Sequence, residues 1–190
     1  MNTRRFICAL LGLWLGASLF MATVAAVNFK SVDRILASPS AEVAAQIQVI
    51  GPEKMRALMR HEAAEFNRVL FEGWGVVQIG ISLLLFGILL FGTKEGKFVL
   101  SVSLVLLLLS AGMHLLVTPN IVAYGRGLDF VPPDKEINLR ERVKVFHNTY
   151  SSLEIVKLSG IVAILVVLFR EVRRRPGRGP TADVEEMEAA

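Results

Sequence analysis

The chain has 190 residues, 53% of them hydrophobic, and a formal net charge of +4. Its apolar residues gather in four blocks of membrane-crossing length, which excludes a soluble domain with one core and a polar surface. Five of the 21 basic residues fall between Arg170 and Arg178, just after an apolar block, so the charge reads as a topology signal and not as a nucleic-acid footprint.

The first block, 6–27, "FICALLGLWLGASLFMATVAAV", follows Arg4 and Arg5 and ends near the small residues Ala25 and Ala26. A cleaved signal peptide would look similar, but its apolar core runs to roughly 7–15 residues, shorter than this block. Gly12 and Gly16 have the small-xxx-small spacing of packed membrane helices, so a retained span is the favoured reading. The single cysteine, Cys8, lies in this block; it has no second cysteine to bridge, and no Cys/His spacing resembles a zinc site.

Two helical pieces are predicted in the loop 28–69. Ser38 suits an N-cap with Pro39 at the first helical position, and Pro52 restarts a helix. Met55, Leu58, Met59, Ala63, Phe66 and Val69 recur at helical spacing, which predicts an amphipathic helix running into the second span.

The second block is 70–92, "LFEGWGVVQIGISLLLFGILLFG". Gly73, Gly80 and Gly87 repeat every seven residues and form a groove that suits another helix better than a lipid or cofactor. Glu72 falls at its outer boundary, with Trp74 as an interfacial anchor and Gln78 about 9 Å deeper. The short turn "TKEGK" leads to the third block, 98–117, whose last ionisable residue is His114. Arg126 and Asp129 are three apart and read as a local pair shaping the loop after Pro119, or as a solvated pair contributing little.

Asn138 and Glu141 have capping-box spacing, which predicts a helix from there through the fourth block, 150–169, to about Arg174. His147, Ser151 and Glu154 lie at i, i+4 and i+7 on one face, and Glu154 and Lys157 at i, i+3. The remainder, 176–190, has no apolar periodicity and reads as a disordered cytoplasmic tail.

Nine Lys or Arg lie in the short segments 1–5, 93–97 and 170–178 on one side; eleven are spread through two long, acid-rich loops on the other. Positive-inside density places both termini in the cytoplasm. The fold class is all-α: one membrane domain over 1–175 with four spans, and amphipathic helices in the first outer loop.

The ionisable residues within the spans, Glu72, His114, Glu154 and Lys157, then all fall in the outer half. A channel or pump needs polar stepping stones along its whole path, so a monomeric pore is disfavoured. His114, His147, Glu154 and Glu72 are the candidate ligand or metal residues, since imidazoles and carboxylates suit a divalent cation or a proton relay. The competing and favoured reading is anchoring, with Glu154 and Lys157 snorkelling to the interface. Gln78, Lys157, Arg126 and Asp129 read as structural polar residues. No Walker, dinucleotide, esterase-elbow, zincin or haem-attachment motif is present, and no cofactor is predicted.

The stretches "GLWLGASLFMATVAAVNFKSVDRIL", "TPNIVAYGRGLDFVPP" and "FHNTYSSLEIVKL" resemble bacterial four-helix membrane proteins of a domain-of-unknown-function family, similar to the eukaryotic transmembrane protein 205 family. The signature is Thr118–Pro119, Gly125–Arg126, Asp129, His147 and Glu154, and the resemblance covers roughly residues 4–172. It implies a four-helix integral membrane protein and supplies no activity. The expected function is a non-enzymatic structural or accessory protein of a bacterial plasma membrane, bounded by lipid. Homo-oligomers or another membrane protein are candidate partners, and nucleic acid is not. The alternatives are an outward-facing metal or small-ligand site, or a transporter component acting as an oligomer.

Overall fold

The computed structural model describes residues 3–93, 96–132 and 134–173. Lys94, the arginines at 174, 175 and 178, and the predicted tail 176–190 lie outside the described residues. The chain forms α1 (Thr3–Ala37), α2 (Ala41–Ile50), α3 (Pro52–Gly92), α4 (Lys97–Gly112), a π-turn (Met113–Val117), α5 (Thr118–Arg126) and α6 (Ile137–Arg173). Among the described residues there is no strand. Four helical stretches, 3–37, 52–92, 97–126 and 137–170, are long and apolar enough to cross a membrane, so the chain is an all-α integral membrane protein.

Their order in space is a closed ring. The stretch comprising α4, the π-turn and α5 lies beside α3 and α6, while α1 closes the other side against α3 and α6. α3 and α6 occupy a diagonal and their backbones do not approach. Neighbours are antiparallel: Thr3 meets Gly92 and Asn28 meets Ala63. The start of α1, the α3–α4 turn and the end of α6 therefore share one end, the terminal end; the longer connections form the loop end.

α3, with 41 residues, is about 60 Å long, twice the roughly 30 Å of a bilayer's hydrocarbon core. The four apolar blocks all occupy the terminal side of their helices, so the excess length projects at the loop end.

The core is a stripe from each helix. Ile7, Leu11 and Trp14 of α1 meet Leu85 and Leu89 of α3, Val99 and Leu106 of α4, and Ile161, Ile164 and Leu168 of α6. Close helix approach falls at other glycines than those predicted. A Cβ on Gly160 would touch Leu106, and one on Gly75 would collide with His114. Around Gly12, Gly16, Gly73, Gly80 and Gly87 there is open space, so a Cβ there would meet nothing among the described residues.

Three predicted boundaries are corrected. The N–H of Ser38 bonds Arg34 O at the end of α1, and α2 begins only at Ala41, so Ser38 and Pro39 lie ahead of the cap position. Ser40 does that, its Oγ accepting from Val43 N at 3.4 Å. Asn138 is no cap either: Glu136 (φ +55°) accepts from Arg140 N, and the helix is under way from Ile137. Pro119 starts no loop, because the third span continues through the π-turn into α5. Proline brings no N–H to this turn. Thr118 Oγ and Asn120 Nδ2 donate instead to the carbonyls of Met113 (3.0 Å) and Leu116 (2.6 Å).

The amphipathic start of α3 is also redistributed. Met55 and Ala63 are buried as expected, but Leu58, Phe66 and Val69 are exposed, and the inward face carries Asn67 and Arg68.

Candidate functional site

Two polar assemblies lie inside the bundle. In the first, Gln78 and Lys157 lie level with Ser18 and Ser110, none more than 3% exposed, and the two serine hydroxyls have no hydrogen-bond partner among the described residues. At about 1.5 Å per residue they all lie some 20–24 Å from the terminal end, so they form one layer. Lys157 Nζ donates to Gln78 Oε1 across the diagonal and to Glu154 Oε2 on its own helix. Trp14 Nε1 donates to the same Gln78 oxygen at 3.4 Å. The Tyr150 ring meets Phe71 edge-on beside this layer, with centroids 5.5 Å apart.

The i, i+3 pairing of Glu154 and Lys157 is thus present, but its expected direction is reversed. Lys157 does not snorkel to the interface; it is fully buried, in register with Ile161, Ile164 and Leu168. These positions share one face of α6, so the rotation that buries the aliphatic stripe carries the lysine inward.

The second assembly closes the loop end. Asp129, just after α5, receives Arg68 Nη1 and Nη2 at 2.8 and 2.9 Å. Arg68 also donates to Glu65, which Arg126 reaches at 3.3 and 3.4 Å. The predicted Arg126–Asp129 side-chain pair is therefore replaced by two cross-pairs to α3, which the Arg68–Glu65 contact and the backbone bond from Asp129 N to Arg126 O join. Long-range partners win because Arg68 is held beneath Gly125, whose missing side chain leaves room for the guanidinium. Arg126 first, and then Arg68, hold the Glu65 carboxyl below its ordinary range. Asp129 above all raises the Arg68 pKa further, against the effect of burial.

His61 completes this clasp. Its Nδ1 lies 3.2 Å from Asp129 Oδ2, outside hydrogen-bond geometry, and its ring packs on Phe130 at 4.8 Å. Phe130 adopts φ +62°, unusual for a bulky residue. Arg140 secures the same loop by donating to the carbonyls of Val131, Pro132 and Lys135.

Among the described residues, His61, Glu65 and Asp129 are the one group of this kind placed to share a metal ion, with ligand atoms within 4.8 Å of one another. Both carboxylates already neutralise guanidinium groups, so a cation would have to displace them. The arrangement fits an ion-pair clasp better than a metal centre.

The residues singled out from sequence do not assemble with one another. Glu72 is exposed. His114 turns toward Gly75, with Nδ1 buried and without a hydrogen-bond partner. Glu154 belongs to the Lys157 layer. His147 faces a cavity of about 290 Å³ between α1, α3, α5 and α6, whose walls include Phe29, Phe71 and Val122 and whose polar lining includes Asn67 and Arg68. Asn67 is committed to α1: its Nδ2 donates to Ala25 O and its Oδ1 accepts from Asn28.

His61, Glu65 and Arg68 were missed as a set. They lie at i, i+4 and i+7 on α3, the same spacing that drew attention to His147 and Glu154. Their signal was present but was absorbed into the polar face of an amphipathic helix. No protein-family model, curated protein or solved structure matches this chain.

Proposed function

We propose that the protein is a non-enzymatic structural or accessory component of a bacterial plasma membrane, with both termini cytoplasmic and the loop end outward. One observation carries the reading: the one fully buried charge among the described residues of the spans, Lys157, is held by polar side chains within the bundle. Lys157 is committed to Gln78 and Glu154, and Trp14 to Gln78. Such a network fixes how α1, α3 and α6 meet, and it leaves the buried lysine no freedom to move along a path. Kinship with the four-helix proteins similar to transmembrane protein 205 is part of the proposal; it rests on the signature residues Thr118 to His147 and Glu154, all in the loop-end half.

Reconstituted liposomes test the activity. Under a proton or potassium gradient, vesicles containing the protein leak no faster than empty ones. A leak that Lys157→Met abolishes would overturn the structural reading in favour of transport. Orientation is tested in spheroplasts with single cysteines in a Cys8→Ser background. An impermeant maleimide labels Ser40→Cys in intact spheroplasts and Thr93→Cys only after lysis; the reverse pattern inverts the topology.

A further inference from the structure

The loop-end cavity is not used by that reading. Its base, at Phe71 and Tyr150, lies about 31–35 Å from the terminal end at 1.5 Å per residue. That is the level at which a hydrocarbon core of about 30 Å, seated on the apolar blocks, gives way to headgroups. An apolar chamber at this level is accessible to molecules that partition to the bilayer surface. Its volume of about 290 Å³ holds about ten non-hydrogen atoms at roughly 30 Å³ each, one short chain and not a two-tailed lipid.

The lining also selects the head group. Arg68, the cation in the wall, is matched: Arg68 and Arg126 face Glu65 and Asp129, two charges of each sign. An added carboxylate would unbalance the set, and an ammonium group would face Arg68. A neutral hydroxyl does neither. His147 is available to it, since that side chain makes no hydrogen bond or ion pair among the described residues and lines the cavity. Asn67 and Thr118 are occupied by backbone carbonyls, which leaves the hydroxyl end of a ligand at His147 and Arg68.

We propose that this cavity binds a neutral single-chain amphiphile of the alcohol class, its short chain against Phe29, Phe71 and Val122 and its hydroxyl toward His147 and Arg68. The assignment goes beyond the structural role above and holds or fails independently of any flux result.

The test uses the full chain in lipid nanodiscs and decyl alcohol carrying a mid-chain diazirine. After illumination, label is expected on peptides containing Phe29, Phe71 and Val122. Unlabelled decyl alcohol competes, and decanoate competes more weakly. Ala64→Phe fills the chamber and lowers labelling by about tenfold, a difference of about 1.4 kcal/mol in binding. Ala64→Leu lowers it less. Circular dichroism and the thermal midpoint establish that each variant is folded; if Ala64→Phe is not, Ala64→Leu and the wild-type competition decide. Label spread over the exposed Leu83, Leu84 and Leu108 and unchanged by the filling variants would overturn the proposal. So would decanoate competing as well as the alcohol.

Discussion

Lys157 of α6 donates to Gln78 of α3 across the bundle diagonal, where the two backbones do not approach each other. A long side chain reaches a polar partner through the centre of an aliphatic core. The lysine stem lies in the stripe of Ile161, Ile164 and Leu168, and only its ammonium group needs compensation. Glu154 supplies the countercharge and Gln78 the further acceptor.

Removing one partner from such a pair costs more than removing both. Lys157→Met leaves Glu154 unpaired and should destabilise the bundle by about 3–5 kcal/mol. Lys157→Met combined with Glu154→Leu should recover much of that loss. Unfolding of the purified protein by a denaturing detergent, compared across the two single variants and the double variant, measures the coupling. Strictly additive losses would show that the ion pair does not couple the two positions.

The clasp gives a pH dependence with a definite sign. The Glu65 carboxyl is lowered from its ordinary value of 4.5 by Arg126 and then Arg68. A depressed carboxyl contributes stability above its unfolded value and loses it as pH falls through the lowered folded value. The thermal midpoint of wild type should therefore fall more than that of Glu65→Gln between pH 6 and about pH 3, a window set by the ordinary carboxylate range. Glu65 is solvent-accessible, so salt should shrink the difference. Parallel curves for the two proteins would remove Glu65 from the clasp.

Two glycine substitutions should behave oppositely. A Cβ on Gly75 would fall 2.3 Å from His114 Nδ1. Gly75→Ala should cost about 1–3 kcal/mol by overpacking, and His114→Ala in the same chain should relieve it. Around Gly80 there is open space, so Gly80→Ala should be neutral or stabilise the monomer by about 0.4–1 kcal/mol. Thermal midpoints in detergent compare the two. Size-exclusion chromatography with light scattering adds a reading of assembly: if Gly80→Ala dissociates a wild-type oligomer, the seven-residue glycine face packs a second copy.

Much of the architecture was legible in the sequence. The four apolar blocks, the helix restarting at Pro52, and the concentration of ionisable residues toward one end follow from run length, proline chemistry and the cost of charge in hydrocarbon. What failed were statements about direction. The expected outward reach of Lys157, the pairing of Arg126 with Asp129, and the glycines of the seven-residue repeat all depended on how each helix is turned about its axis.

The sequence by itself determined that the chain is helical, apolar over four spans and polar at one end, because hydrocarbon requires internally bonded backbone and penalises charge. Only the tertiary structure decided which polar residues meet. Helical spacing places His61, Glu65 and Arg68 on one face as readily as His147 and Glu154. Packing turned the first set toward Asp129 and Arg126, and left His114, His147, Glu154 and Glu72 in four separate surroundings. Helix rotation is set by contacts between residues far apart in the chain, and a periodicity within one helix carries no information about them.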